Sequence, residues 1–486
     1  MEQMEQFLEV PEQKQSDIKI AYVTLQFVAD APPLGLASMA TYFREYGNFQ
    51  NQKVIDVADK YRVSETLNYN PDIIFISANT MHYPKAVAFA KEIKSKHNTP
   101  IIIGGVHIST FPQSLDPIFE LGCIGEGEQT GLELMNLFRK KKRFEHDDIT
   151  NIKGLVYRHD GKIILTAPRE LIKPLDLIPY PDRSFLRKSY FTKKQIIHTK
   201  TAKRLTGIIT SRGCPYKCMF CSTTAFWKEF RINSAAHIAK EMEYLIKEYN
   251  IESFFIYDDL FTVHKNRLKD LVKIMKEKEL LGKFSINCMG RTDNIDEELL
   301  GILKQLNTDY INFGFESGSD RVLQFLKNEQ ISVETHKKAI IMCEKYGIGV
   351  QGSLMFASPG ETAEDMQKTL DLIDFMYKHN VNIVWSTITK PLPGTPLWDL
   401  AIKEGIITPD IDLRRLSEMN VDPIMIDKNL SREDFDRLFK AGRAKIRKLE
   451  LRYWWRKLIA DPIYVTWFVL QNFKFMRFFT LDRGEP

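Results

Sequence analysis

Three cysteines stand within eight residues near the middle of the chain, and no other feature constrains it as strongly. Cys214, Cys218 and Cys221 lie in the run SRGCPYKCMFC, which has the pattern C-x3-C-x2-C. A [4Fe–4S] cluster normally takes four cysteine ligands. Three thiolates from one loop would leave one iron open to a substrate or cofactor. The spacing therefore points to chemistry at a cluster rather than to electron storage.

A zinc site, or three unrelated buried thiols, is the alternative interpretation of this loop. Zinc sites usually consist of two paired C-x2-C units or include nearby histidines. The nearest histidines, His198 and His237, lie outside the loop. The iron–sulfur interpretation is therefore favoured.

The loop resembles the radical-SAM superfamily, whose members usually place an aromatic residue just before the last cysteine, here Phe220. The resemblance implies that S-adenosylmethionine (SAM) chelates the open iron through its amino and carboxylate groups. One electron would then cleave SAM to methionine and a 5′-deoxyadenosyl radical. The resemblance also implies a reductant such as flavodoxin or ferredoxin.

Length and composition agree with a multidomain enzyme of a reducing compartment. The chain has 486 residues, of which 44% are hydrophobic, enough for two or three domains. A formal charge of +5, spread along the chain, does not indicate nucleic-acid binding. Six cysteines, three of them in one loop, do not suggest a disulfide framework. With no signal peptide and no run of about 18 apolar residues, the chain is predicted to be cytoplasmic.

Residues 1–16 are predicted to be a tail and residues 17–145 a first α/β domain. Branched and aromatic segments alternate there with helical patterns, which predicts βαβ units and a parallel sheet. Ligands bind such sheets where the carboxyl ends of the strands open. The glycine-rich runs Gly104-Gly-Val-His107 and Gly125-Glu-Gly-Glu128 are predicted at such ends. Tight turns are the alternative explanation for their glycines.

The order of three motifs ahead of the cysteine loop, PPLG at residues 32–35, GGVH at 104–107 and GEGE at 125–128, resembles the cobalamin-binding subgroup of radical-SAM enzymes. The resemblance covers about residues 17–400. It implies a Rossmann-like cobalamin domain followed by a partial (βα)6 barrel. The cobalamin contacts that it implies are Gly104, Gly105, His107, Gly125 and Glu126.

The first domain departs from one cobalamin pattern. Domains of the methionine synthase type carry Asp-x-His-x-x-Gly, whose histidine ligates cobalt. The comparable run here, Asp56-Val-Ala-Asp59, has no histidine. This fits a cobalamin without a histidine on its lower face, and equally a domain that has lost the cofactor.

A linker is predicted over residues 146–204. Its run Gly154–Gly161 contains an Asp-Gly pair that predicts a β-hairpin. Prolines within residues 177–182 predict an extended segment.

Residues 205–400 alternate strand and helix patterns again, and polar residues follow several predicted strands. Functional groups of parallel α/β barrels gather at the carboxyl ends of strands. From the resemblance, Asp258 and Asp259 would hold the SAM amine, Arg291 its carboxylate, and Glu316 and Ser317 the ribose and methionyl end. A helix N-cap is the alternative for the aspartates, and a surface ion pair is the alternative for the arginine.

A helical region is predicted over residues 401–486, where basic residues run beside Trp454, Trp455 and Trp467. Such a pattern suits contact with the inner face of a membrane. A packed helix with a solvated basic face is the more frequent explanation. A wall of the substrate cleft is a third.

Three functions follow as hypotheses. The first is a cobalamin-dependent radical-SAM C-methyltransferase that acts on an unactivated carbon of a small or hydrophobic substrate. Hopanoid methylases and the anaerobic tetrapyrrole cyclase are similar in layout. The second is a radical-SAM cyclase, rearrangement or carbon–carbon coupling enzyme without methyl transfer. The third is a non-catalytic cobalamin or redox sensor.

Overall fold

Strands rich in isoleucine, valine and phenylalanine alternate with helices along most of the chain and form two parallel sheets. The computed structural model describes residues 16–25, 31–196, 199–327, 331–417, 423–425, 429–463 and 465–466. The chain divides into two units. The first comprises Met1–Tyr190, Cys221–Asn233 and Pro391–Glu418, and the second Phe191–Phe220, Ser234–Lys390 and Met419–Pro486.

The elements are numbered in chain order. The strands are β1 (Ile20–Thr24), β2 (Gln52–Ile55), β3 (Ile73–Ser77), β4 (Ile101–Gly104), β5 (Leu121–Cys123), β6 (Leu155–His159), β7 (Lys162–Leu165), β8 (Lys194–Gln195), β9 (Lys203–Ile208), β10 (Ser211–Arg212), β11 (Arg231–Ile232), β12 (Ser253–Ile256), β13 (Ser285–Gly290), β14 (Thr308–Glu316), β15 (Gly349–Phe356) and β16 (Ile383–Ile388).

The helices are α1 (Leu34–Gly47), α2 (Asp59–Tyr69), α3 (Tyr83–Lys94), α4 (Val106–Thr110), α5 (Gly127–Lys141), α6 (His146–Ile149), α7 (Ser189–Thr192), α8 (Thr223–Trp227), α9 (Ala235–Tyr249), α10 (Lys265–Glu277), α11 (Glu297–Gln305), α12 (Asp320–Lys327), α13 (Val333–Tyr346), α14 (Ala363–Lys378), α15 (Pro396–Lys403), α16 (Leu413–Ser417) and α17 (Arg432–Ala460).

The first sheet has the strand order β2-β1-β3-β4-β5-β6-β7. Strands β1 to β5 are parallel, which confirms the predicted Rossmann-like α/β fold. Strand β1 is buried on both faces: Ile20 and Tyr22 enter one apolar cluster, and Ala21 and Val23 enter the other. Burial on both faces is the reason that such strands lack an alternating polar pattern.

The hairpin predicted within residues 154–161 forms, with Asp160 and Gly161 at φ of 47° and 75° in its turn. Positive φ at both turn residues suits the twist of the flanking strands. The hairpin lies beyond the boundary predicted at residue 145, and its strands β6 and β7 extend the first sheet in antiparallel fashion.

The second sheet has the order β16-β15-β14-β13-β12-β9-β8. From β9 to β16 the strands are parallel and follow one another in chain order, and β8 covers one edge in antiparallel fashion. An open, sequential series of six parallel strands is the predicted partial (βα)6 barrel. The carboxyl ends of these strands carry the polar residues that the sequence singled out.

The predicted C-terminal helical region contains α17, a helix of 29 residues. Ser431 caps its N-terminus by accepting a hydrogen bond from the backbone N–H of Asp434. Trp467 and the end of the aromatic stretch lie outside the described residues. Over the part of the chain described above, no helix is both long and apolar enough to cross a membrane.

Candidate active site

The cysteine loop follows β9. The thiols of Cys214, Cys218 and Cys221 are half-buried, and none is in a disulfide. The backbone N–H of Met219, inside the loop, donates to the carbonyl of Leu326 at the end of α12 (2.8 Å). Three half-buried thiols in one loop would supply three of the four ligands that a [4Fe–4S] cluster normally takes. Among the described residues, no group of three or more His, Cys, Asp or Glu side chains is arranged as a metal site.

Asp258 fixes the start of this loop. Its Oδ1 accepts hydrogen bonds from the backbone N–H groups of Thr210 (2.6 Å) and Ser211 (3.0 Å), and its Oδ2 accepts one from the Thr210 hydroxyl (2.5 Å). The guanidinium of Arg267 lies 3.6 Å from Oδ2, and both side chains are buried. The carboxylate therefore ties the end of β12 to the end of β9. These contacts give it a positioning role that the sequence did not reveal.

Asp259, the next residue, has the opposite environment. Its side chain is exposed at the carboxyl end of β12, whereas Asp258 is 1% exposed. Of the two neighbouring aspartates, only Asp259 is accessible to a ligand.

Arg291 follows β13 and is held from three sides. Its Nε donates to both carboxylate oxygens of Asp293 (2.9 Å each), and its guanidinium lies 3.9 Å from the centre of the Tyr216 ring. Its Nη1 lies 3.8 Å from the Sγ of Cys218. Its Nη2 is buried and has no hydrogen-bond partner among the described residues. A buried guanidinium with an unused donor beside Cys218 fits a carboxylate ligand.

Glu316 ends β14 with φ of +58°, at a shift in the β14–β15 register. Its Oε1 lies 3.2 Å from the Nζ of Lys327, and both side chains are buried. A Cβ on Gly314 would clash with the same Oε1, so a larger residue there would displace this carboxylate. This charge pair gives a physical reason for a buried glutamate among phenylalanines.

Ser317 is fully buried. Its hydroxyl lies 3.3 Å from that of Thr369 and accepts a hydrogen bond from the N–H of Ser319 (3.1 Å). The structure therefore places this side chain in the protein interior rather than at an open site.

His336 is a residue that sequence reasoning missed. It is fully buried in α13, with Nδ1 2.8 Å from the Thr292 hydroxyl and Nε2 3.0 Å from the carbonyl oxygen of Phe315. Burial lowers the pKa of its imidazole to about 3. Through these two hydrogen bonds His336 links Thr292, which follows Arg291, to Phe315, which precedes Glu316. A single histidine in a helical pattern carries no sequence signal for such a role.

Glu361, in the Pro-Gly-Glu run after β15, is 1% exposed. Its Oε2 accepts a hydrogen bond from the N–H of Ser358 (3.1 Å), and its Oε1 is buried without a partner in the described part of the structure. Burial raises the pKa of this carboxyl to about 8. In sequence such a run indicates only a loop-shaping role, whereas in the fold this carboxyl is held in its neutral form at pH 7.

In the first unit, Gly104 ends β4 and Gly105 follows it with φ of +97°. A Cβ on Gly105 would lie 2.7 Å from the carbonyl oxygen of Ala78, which excludes other residues. At Gly104 the nearest atom to a Cβ would be 3.8 Å away, an ordinary contact. The turn itself requires only the second glycine.

His107 is fully buried within α4. Its Nδ1 lies 3.1 Å from the Thr80 hydroxyl and its Nε2 2.9 Å from the Ser114 hydroxyl, and its ring packs 4.1 Å from that of Tyr83. Burial lowers its pKa to about 4. Both ring nitrogens are therefore used inside the protein, and the residue has a structural role.

Glu126 also has a structural partner. Its carboxylate forms a bidentate pair with the buried guanidinium of Arg231 (2.9 and 3.0 Å) and accepts a hydrogen bond from the N–H of Ile172 (3.0 Å). Gly125, just before it, has φ of +78°, and nothing lies within 4 Å of the position of a Cβ. The Gly125 N–H donates to the Ser109 hydroxyl (2.9 Å), but the space on the Cβ side of Gly125 is open.

A cavity of about 270 Å³ adjoins Gly125 at the carboxyl end of β5. It is lined by side chains of the hairpin, of the segment around residues 168–171 and of α8, including Leu165, Arg169 and Phe226. Asp56 does not line this cavity. Its side chain is buried and bonded to Tyr190 and Arg187. The cavity lies at the strand end where this fold class binds ligands.

Comparison with known families gives two matches. Residues 208–373 match the radical SAM superfamily, and residues 20–135 match the B12 binding domain. The first range contains the cysteine loop, Asp258, Arg291 and Glu316. The second contains the glycine-rich runs that follow β4 and β5.

Two curated relatives are similar over much of the chain. An uncharacterized methyltransferase of Pyrococcus horikoshii is 30% identical over 84% of this chain and 86% of its own length. The anaerobic magnesium-protoporphyrin IX monomethyl ester cyclase of Rubrivivax gelatinosus is 26% identical over 70% of this chain and 61% of its own length.

Among solved structures, the fold is similar to that of the radical S-adenosylmethionine methyltransferase TsrM from Kitasatospora setae, bound to tryptophan and a SAM analog. The TM-score is 0.65 at 19% identity, over 80% of this chain and 76% of that one. At this identity the likeness concerns the fold.

Proposed function

The chain belongs to the radical-SAM enzymes that carry an N-terminal B12-binding domain, and on this premise we propose that it methylates an unactivated carbon of a small or hydrophobic substrate. Membership makes it an enzyme whose cofactors are a [4Fe–4S] cluster, SAM and cobalamin. When bound, the reduced cluster supplies the electron that divides SAM into methionine and a 5′-deoxyadenosyl radical, and cobalamin supplies a transferable methyl group.

The observation that carries the proposal is the position of Arg291. Its guanidinium is held by Asp293 and Tyr216, touches Cys218 and keeps a buried Nη2 without a partner among the described residues. A SAM carboxylate at Nη2 would lie beside the cysteine loop. That proximity is what a radical-SAM active site requires, because SAM must bind at the open iron.

The other SAM contacts are assigned from the strand ends. Cys214, Cys218 and Cys221 would hold the cluster, with Phe220 in the same loop. The exposed carboxylate of Asp259 would accept the SAM ammonium. Glu316, oriented by Lys327, would accept hydrogen bonds from the ribose hydroxyls of SAM. The proposal leaves Asp258 and Ser317 out of the ligand set because their side chains are bonded within the protein.

The cobalamin contacts are proposed at Gly104 and Gly125, where a ligand could approach the glycine without meeting a side chain, and at the cavity that adjoins Gly125. Neither His107 nor Glu126 is included, since both side chains have buried protein partners. This part of the proposal thus depends on backbone and cavity rather than on a histidine ligand to cobalt.

A second candidate is radical ring closure without methyl transfer. The similarity to a tetrapyrrole ester cyclase over 70% of this chain favours it. The sensor hypothesis is not retained, because membership of this family makes the chain an enzyme.

The test is an anaerobic assay of the reconstituted holoenzyme with SAM and a reductant such as flavodoxin or ferredoxin. Methylation predicts both 5′-deoxyadenosine and S-adenosylhomocysteine. Only 5′-deoxyadenosine would favour the second candidate, and absence of 5′-deoxyadenosine would contradict the radical assignment. A visible spectrum with added cobalamin tests the corrin site separately, since no corrin binding would exclude methyl transfer.

A further inference from the structure

The C-terminal helix α17 has one face that anchors it to the protein. Phe435, Leu438, Ile446, Leu449 and Tyr453 are buried along this face. With the buried Gly442, their spacing of three or four residues follows the helical period. The helix packs on α14 and β16 in this way. Its orientation is therefore set by its own core, which fixes the side chains that point away from the protein.

The opposite face carries an apolar stripe, formed by Leu451, Trp455 and Ile459. Their exposed fractions are 57%, 65% and 69%. A spacing of four residues places them in one line along the helix. Single exposed apolar residues are common, but a contiguous line that includes tryptophan is typical of a surface that contacts another protein or a membrane.

Basic residues surround this stripe. Residues 440–460 contain eight lysines and arginines and one glutamate. Arg447 and Lys448 are exposed one turn before Leu451, and Arg456 is exposed beside Trp455. The glutamate, Glu450, is half-buried, and burial raises its pKa to about 7. Lys445, Arg452, Arg456 and Lys457 bond to other parts of the protein. The outward face is cationic as well as apolar through the other four basic residues, the exposed Lys440, Arg443, Arg447 and Lys448.

We propose that the apolar stripe docks α17 onto the surface of an anionic phospholipid bilayer, with its basic neighbours at the headgroups. A cationic helix with an apolar line and an outward tryptophan has the chemistry of an interfacial helix. Charge complementarity selects an anionic surface. A second copy of this chain would bring the same cationic face against itself, which is unfavourable.

This surface is separate from the proposed catalytic function. It contains none of the residues assigned to the cluster, SAM or cobalamin, so the two proposals can fail independently. SAM cleavage measured without vesicles is expected to be unchanged by substitutions on the stripe.

The test is flotation of the full-length protein with vesicles of phosphatidylcholine, with and without phosphatidylglycerol. Binding is expected only to the anionic vesicles and is expected to weaken with salt. Leu451→Ser with Trp455→Ser should reduce binding by at least about tenfold, because the apolar contribution is lost. Tyr61→Ser with Ile341→Ser, at sites 52% and 46% exposed on other helices, is the matched control and should bind as the parent does.

A second variant tests the charges. Arg447→Gln with Lys448→Gln should weaken binding and flatten its salt dependence. The proposal is overturned if the parent does not float, if it floats equally with neutral vesicles, or if the stripe variant binds like the control. It is also overturned if the parent self-associates without binding vesicles and the stripe variant no longer self-associates. Thermal melts of each variant check that the fold is intact.

Discussion

The Nη1 atom of Arg291 lies 3.8 Å from the Sγ atom of Cys218. The guanidinium thus lies against one of the three cysteines that are proposed to hold the cluster. The same side chain has its Nη2 buried and without a partner in the described structure, ready for an anion. One arginine can thus serve both the cysteine loop and the cofactor beside it.

Arg291→Met is therefore expected to weaken SAM binding by at least about tenfold, since a hydrogen bond to a charged group is worth roughly 1.5–3 kcal/mol. Arg291→Lys should recover part of the affinity, because it keeps the charge but not the fork that contacts Asp293. Equilibrium binding of SAM to the reconstituted protein measures both. Unchanged affinity in the Met variant would remove Arg291 from the site.

Each of Cys214→Ala, Cys218→Ala and Cys221→Ala should lose the visible absorbance of the cluster and all production of 5′-deoxyadenosine. Cys343→Ala is the matched control, because that thiol is buried in α13 and burial raises its pKa to about 12. The control should retain both signals. Cleavage of SAM by a variant without a cluster would contradict the radical assignment.

Asp258 and Asp259 should differ sharply when each is changed to asparagine. Asp258→Asn leaves the buried Arg267 without its carboxylate, and breaking such a pair typically costs about 3–5 kcal/mol. Urea unfolding measures that loss. Asp259→Asn should leave stability within about 0.5 kcal/mol, as surface changes usually do, and lower the affinity for SAM. If Asp259→Asn lowered stability and Asp258→Asn lowered only the affinity for SAM, Asp259 would be the structural support and Asp258 the SAM contact.

The two buried histidines predict lower stability in acid. Burial holds the folded-state pKa of His107 at about 4 and of His336 at about 3, below the usual 6.5. As the pH falls below 6.5, the unfolded chain binds protons that the folded chain does not, so stability present above pH 6.5 is lost. A pKa that differs by one between the folded and unfolded chains corresponds to about 1.4 kcal/mol, so the loss is on the order of 3 kcal/mol per histidine. Urea unfolding of His107→Gln and His336→Gln from pH 7 to 4.5 should show a shallower pH dependence than the parent, and an equal slope would contradict the assignment.

Burial of Glu361 should lower the stability of the protein as the pH rises, which is the opposite of the effect of the two histidines. Its folded-state pKa of about 8 lies above the usual 4.5, so the folded protein holds a proton that the unfolded chain releases. The stability from this group is complete below pH 4.5 and is lost as the pH rises toward 8. Glu361→Gln mimics the neutral carboxyl and should gain stability relative to the parent by several kcal/mol between pH 5 and pH 8. If the difference in the free energy of unfolding between variant and parent is the same at pH 5 and at pH 8, the carboxyl of the folded parent is already ionised at pH 5.

The order of strands and helices could be predicted because hydrophobic periodicity is local. Strands β9 and β12 to β16 pair in chain order, so a list of strands already implies the sheet. The cysteine spacing is also local, and it identified the loop without any tertiary information. The polar residues after β12, β13 and β14 could be placed at one edge because carboxyl ends of parallel strands coincide.

The partners of those polar side chains could not be predicted. Glu126 pairs with Arg231, 105 residues away, and Asp258 bonds to Thr210, 48 residues away. Two adjacent aspartates read alike in a sequence, yet one is buried and the other exposed. Which of them is exposed depends on the conformation of the strand end.

The sequence alone therefore determined the family, the two α/β sheets and the cysteine loop, since these depend on spacing within short segments. Only the tertiary structure decided that His107 and Glu126 are internal and that Arg291 lies against Cys218. Burial and charge pairing are set by contacts between distant segments. A polar residue becomes a ligand or a structural support according to what the fold brings within hydrogen-bonding distance.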